Sequence, residues 1–149
     1  MKAIVQRVSS AEVKVDGKVV GQIDVGLLVL AAAHRLDTEA EARKLADRVL
    51  GLRIFNDEAG KMNLSLAEIP ESGILAVSNF TVYGETSKSR RPSFIEAAPF
   101  EEGKRLFEAF VAALRERHPR VEEGVFGADM RVSLVNDGPV TVILEAPPG

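Results

Sequence analysis

Three short segments hold the residues that could do chemistry. Ser78-Asn79-Phe80-Thr81-Val82 puts two hydroxyls and a carboxamide at the end of an apolar run. Asn136-Asp137-Gly138-Pro139-Val140-Thr141 contains a Gly-Pro step, which lacks a Cβ at glycine and has a peptide bond that reaches cis at a cost of only about 0.5–1 kcal/mol. Such a turn can present carbonyls to a ligand. Lys88-Ser89-Arg90-Arg91 places three cations within four residues, with Phe94 close behind. Each segment also has a plain structural use. The first reads as a strand end whose hydroxyls bond nearby backbone. The second reads as a hairpin turn and the third as an exposed loop.

The missing residue types narrow the chemistry. The chain has no cysteine, so a thiol nucleophile, a cysteine-based zinc site and a disulfide framework are all excluded. It has two histidines. His118 is expected at a solvent-exposed helix end. His34 is expected to close a buried strand and serve a loop or an interface. No HxxxH, P-loop or GxSxG pattern occurs. Asp and Glu are scattered along helix faces and turns, so neither a metal nor another cofactor is expected. Serine and threonine are weak nucleophiles without a positioned base. Ester hydrolysis by this chain would therefore fall to backbone amides, bound water and groups of the substrate itself.

The formal net charge is −3. A protein that coats nucleic acid through bulk charge would be basic. RNA contacts here must be few and local, as Lys88, Arg90 and Arg91 could supply. Neutralising about three phosphates gives a log–log salt slope of roughly −2 to −3. No apolar window is long enough to span a bilayer, and the N-terminus lacks signal-peptide features. The cytoplasm is the expected location.

The elements that must position these segments are mostly strands. Ala3–Val8 and Ala11–Val15 are predicted strands, with Asp16-Gly17 as the turn into Val19–Ile23. Gly26–Ala33 is apolar throughout, as in a strand covered on both faces. Thr38 and Glu41 have the spacing of a capping box at the start of a first helix. Ser72–Val82 is predicted as one strand. A second helix is predicted to start near Pro99, with Leu106, Phe107, Phe110, Val111 and Leu114 as its buried stripe. Arg131–Val135 and Val140–Leu144 are predicted as two closing strands joined by the Gly-Pro turn. The expected architecture is one α+β domain spanning 1–149, a curved sheet or barrel-like body with two outer helices.

Taken together, the segments resemble the D-aminoacyl-tRNA deacylase family, nearly end to end. The resemblance starts at Met1-Lys2-Ala3-Ile4-Val5-Gln6-Arg7-Val8. It runs through Leu52-Arg53-Ile54-Phe55, Gly60–Ser65, Arg90-Arg91-Pro92-Ser93-Phe94 and Phe126-Gly127-Ala128-Asp129-Met130 to Asn136–Thr141. The family's motifs read SQFTL and NxGPVT. The second is intact, from Asn136 to Thr141. The first is SNFTV, with Asn79 in place of glutamine and Val82 in place of leucine. Ser89 stands where the family usually has glycine.

The resemblance implies a homodimer of barrel-like subunits with two sites at the interface, acting on the acceptor end of aminoacylated tRNA. It implies that Gly138-Pro139 is cis, enters the partner's site and rejects L-aminoacyl substrates, with glycyl-tRNA as a second substrate. Arg7 matches the residue that orients this turn, and Met130 matches a pocket-lining position. Ser78, Asn79, Phe80 and Thr81 match the catalytic segment. Two mechanisms are compatible with it: Thr81 as nucleophile, or the terminal ribose 2′-hydroxyl assisting water while the Ser78–Phe80 backbone holds the ester. The absence of an evident base favours the second. Two other readings of the residues are a non-catalytic RNA-binding module and a plain structural dimer.

Overall fold

The computed structural model describes residues Met1 to Gly149. The chain opens with β1 (Lys2–Val15), one continuous strand where the sequence suggested two. Asp16 and Gly17 both take positive φ, 50° and 78°, the twist a two-residue hairpin needs. They lead into β2 (Lys18–Ile23), followed by β3 (Gly26–Ala32) and α1 (Glu39–Gly51). The small strands β4 (Phe55–Asn56) and β5 (Met62–Leu64) precede β6 (Gly73–Ser78). Then come α2 (Phe100–Arg117), β7 (Val121–Glu123) and β8 (Arg131–Glu145).

The main sheet runs β2-β1-β3-β6-β7, with β8 on the other edge of β1. The β3/β6 and β6/β7 pairs are parallel. Parallel neighbours need long crossovers, and α1 and α2 lie in those two connections. The sheet curls until β2 approaches β7. A Cβ on Gly21 would stand 2.6 Å from the Glu123 carbonyl oxygen, so only glycine fits there. The result is an α+β fold with a barrel-like sheet and two outer helices, as the sequence implied.

Both faces of the sheet are covered, which explains the unbroken apolar run of β3. Leu27, Val29 and Ala31 pack with Leu45, Val49, Leu106 and Phe110 of the helices. Leu28 turns to the inner side with Leu75 and Val77. Thr38 caps α1. Its backbone N–H and hydroxyl both donate to Glu41, at 2.6 and 2.8 Å, and these bonds hold the Glu41 carboxyl at about 2 against an ordinary 4.5.

Three local expectations are corrected. β6 stops at Ser78, and Phe80–Tyr83 forms a short 3₁₀ turn rather than more strand. His118 is buried, not exposed, because its Nε2 lies 2.7 Å from the Ser72 carbonyl oxygen, under the start of β6. The closing strands are not a hairpin. Both flanks of the Gly-Pro segment pair with β1, Val132 with Val13 and Val142 with Val5, so they form one long strand, β8. The ribbon turns over at the segment between them. Val5 and Val142 pack toward the helices, whereas Val13 and Val132 pack toward the inner side.

Candidate active site

The Ser78–Thr81 segment is built by the end of β6. Ser78 is the last residue in register with β3, opposite Ala31. The Asn79 N–H donates to the Ala31 carbonyl at 2.9 Å, and the chain then leaves the sheet. Asn79 caps the 3₁₀ turn. Its Oδ1 accepts the Thr81 N–H at 3.2 Å and also the Thr81 hydroxyl. The first amides of a helical turn have no acceptor inside it. Asn79 satisfies Thr81's, which leaves the Phe80 N–H without an acceptor within the turn. Because the Thr81 hydroxyl proton rests on an amide oxygen, no base holds it.

Beside this turn lies a cavity of about 790 Å³. Small side chains leave the room for it: Ala31, Ala32 and Ala33 at the end of β3, Ala97 and Ala98, and Gly103 on α2. Phe94, Phe100, Phe107 and Phe126 line it, with Met130. Its polar edge is Gln6, Ser78 and Asn79. Phe80 is 58% exposed at the rim and packs edge-on against Phe94, ring centroids 5.2 Å apart. Edge-packed aromatics and an apolar interior suit a flat heterocycle or an apolar group.

The Gly-Pro turn is held on a different part of the sheet. Gly138 has φ +133°, a conformation that favours glycine, and its bond to Pro139 is cis. Arg7 is buried beneath the turn. Its Nε donates to the Asp137 carbonyl at 3.1 Å, and its Nη1 donates to the Ile54 carbonyl at 2.8 Å. Asn136 ties both ends, donating to the carbonyls of Arg7 and Val140 at 2.9 and 3.0 Å. The Thr141 hydroxyl accepts from Gln6 Nε2 at 3.2 Å. Asp137, Gly138 and Pro139 are exposed, and none of them lines the cavity of its own chain.

The structure thus brings Ser78, Asn79, Phe80 and Met130 to one cavity, with Thr81 exposed beside it. It gathers Arg7, Asn136, Gly138, Pro139 and Thr141 at a second place, linked to the cavity through Gln6. Lys88, Arg90 and Arg91 are exposed on the loop before Phe94. Ser89 stiffens that loop, its hydroxyl accepting the Arg91 N–H at 3.2 Å.

Neither histidine serves the cavity as a base. His34 Nδ1 accepts the Leu36 N–H, and its Nε2 lies 2.5 Å from a Glu96 oxygen. Sequence reasoning missed Gln6, Phe100, Phe126, and Ile54 and Asn56 as partners of Arg7. Phe100, Gly103 and Phe107 stand at i, i+3 and i+7, the spacing of one helix face, which was the available signal.

The site is an apolar cavity edged by main chain and carboxamide, and the comparisons place it in a class of ester hydrolases. The family model for D-Tyr-tRNA(Tyr) deacylase matches residues 4–145. A D-aminoacyl-tRNA deacylase of Geobacter metallireducens is 58% identical, covering 99% of this chain and 97% of the relative. One from Burkholderia vietnamiensis is 56% identical, over 99% of this chain and all of the relative. Among solved structures, the c-Myc DNA Unwinding Element Binding Protein superposes with a TM-score of 0.92 at 39% identity, covering 99% of both chains. A probable eukaryotic D-amino acid tRNA deacylase, at TM-score 0.84 and 19% identity, shares the fold over 97% of this chain and 98% of its own. The chain belongs to the D-Tyr-tRNA(Tyr) deacylase family.

Proposed function

We propose that the protein hydrolyses the ester of D-aminoacyl-tRNA, and of mischarged glycyl-tRNA, releasing free amino acid and tRNA in the cytoplasm. The observation that carries this reading is a division of parts. The cavity has an open edge at Ser78–Phe80, and the rigid Gly138-Pro139 turn stands outside it on the same chain. A second copy supplies the missing part. Gln6 and Thr141 pair across β1 and β8 beside Ile4 and Ile143, so the cavity-side face continues onto a strip where Ile143 is 67% exposed. Such a strip suits burial against another copy.

In this arrangement the partner's turn presents its main-chain carbonyls to the substrate's α-carbon. An L side chain collides with them, a D side chain points away, and glycine has nothing to exclude. Selection by a clash needs no specific side-chain pocket. Met130 and the aromatic walls receive the terminal adenosine. Lys88, Arg90 and Arg91 meet phosphates of the acceptor end.

The chemistry follows from what surrounds the ester. The Thr81 hydroxyl donates to Asn79 and no base holds it, which favours water over Thr81 as the nucleophile. Water attacks the ester carbonyl with assistance from the ribose 2′-hydroxyl of the tRNA. The open Phe80 N–H stabilises the developing oxyanion, an effect worth several kcal/mol for a well-placed donor. Collapse breaks the bond to the ribose oxygen, which takes up the proton that the attacking water gave up, and frees the amino acid.

The test is incubation of the purified protein with D-tyrosyl-tRNA. Release of D-tyrosine is expected at catalytic protein concentrations. Stable tRNA binding without release would reduce the protein to an RNA-binding module.

A further inference from the structure

We propose that His34 is a positioning residue for the cavity, bracing two of its walls through Glu96 and Tyr83; in its kinetic consequence this rests on the deacylase reading. His34 lies just beyond β3 and outside the cavity lining. Its backbone bridges Ala97, flanked by Arg35 N–H to the Glu96 carbonyl and Ala98 N–H to the Ala33 carbonyl, both 2.9 Å. The ring adds the side-chain bond. Because Nδ1 accepts the Leu36 N–H, the ring proton sits on Nε2 and is donated to the Glu96 carboxylate. That bond is charge-assisted, and the imidazole is only 13% exposed. The same ring meets Tyr83 edge-on, centroids 5.5 Å apart.

These two partners end two walls. Tyr83 is the last residue of the 3₁₀ turn that begins with Phe80. Its ring is half-buried under the Lys2 ammonium, 5.0 Å away, so it is fixed from both sides. Glu96 precedes Ala97 and Ala98, and Phe94 lies two residues before it. The connection from Gly84 to Pro99 contains no helix or strand. A backbone bridge between Glu85 and Ser93, with bonds of 2.8 and 2.9 Å, closes the near end of this wall, and the imidazole is the side-chain link from its far end at Glu96 back to the turn that carries Phe80. With the Glu85–Ser93 bridge holding the other end, the brace fixes the Glu96–Ala98 side of the wall relative to the Phe80 turn before substrate arrives.

The experiment compares the wild type with His34→Ala and Glu96→Ala, using D-tyrosyl-tRNA kinetics and amide hydrogen exchange of the free proteins. A wall that only binds substrate affects ground and transition states alike, so KM should rise about five- to twenty-fold with kcat within about two-fold. Exchange at the Arg35 and Ala98 amides should quicken by at least about ten-fold. The double variant should be no worse than either single one. Unchanged exchange with unchanged KM overturns the brace, as does a loss confined to kcat. If His34→Ala does not fold, Glu96→Ala gives the same readouts. A wild type that releases no D-tyrosine overturns the deacylase reading instead, and the exchange rates alone then decide the brace.

Discussion

The Ser78–Thr81 turn and the Gly138-Pro139 turn are built in opposite ways. The first ends an interior strand and edges a cavity, and Asn79 satisfies it with its own side chain. The second interrupts an edge strand and faces no cavity in its chain. It is held from below by the buried Arg7, which spans to Ile54 just before β4 and to Asn56 on β4. One turn has space beside it and an open donor. The other has rigidity and exposed main chain. Under the proposed function, the difference places catalysis and selection in separate turns, each held by its own supports.

The strongest way to break this comparison is through the substrate. A D-tyrosyl-tRNA ending in 2′-deoxyadenosine should be deacylated about 10²- to 10³-fold more slowly, as loss of one directed group in a transition state costs. Single-turnover rates check this. Ile143→Glu places a charge on the strip assigned to the partner. It should weaken self-association at least about thirty-fold, since burying an unpaired charge is costly, and activity should fall with it. Sedimentation of the two proteins, read beside their rates, distinguishes this from misfolding.

Arg7→Ala removes the support beneath the Gly138-Pro139 turn and its tie to Ile54 and Asn56. It leaves the Ile54 and Asp137 carbonyls unpaired, at roughly 1–3 kcal/mol of stability. Discrimination against L-tyrosyl-tRNA should drop about ten-fold, with a smaller loss of D-rate. Thermal unfolding and paired D/L assays measure both effects. Thr81→Ala should matter least. With its hydroxyl proton on an amide oxygen, the variant should keep activity within about five-fold. A folded but inactive Thr81→Ala protein would reinstate the threonine nucleophile.

Features fixed by neighbours in the chain were legible in advance. The Thr38–Glu41 box, the Asp16-Gly17 turn and the α2 stripe need only local spacing, and the structure contains them. The intact Asn136–Thr141 motif and its companions marked the family before any coordinates. Features made by distant partners were not legible. The flanks of Gly138-Pro139 look like a hairpin until β1 is known to pair with both. His118 looks exposed until Ser72 covers it. The cavity is an assembly of Ala31 on β3, Phe107 on α2 and Met130 before β8. His34 and Glu96 stand 62 residues apart, and nothing local links them.

The most direct test is the rate of tyrosine release from D-tyrosyl-tRNA and L-tyrosyl-tRNA, measured side by side with the purified protein. The proposed division between the Ser78–Thr81 turn and the Gly138-Pro139 turn predicts rapid release from the D substrate. It predicts a rate at least about a hundred-fold lower for the L substrate, the work of a steric clash. Equal rates on the two, or no release from the D substrate, would contradict it.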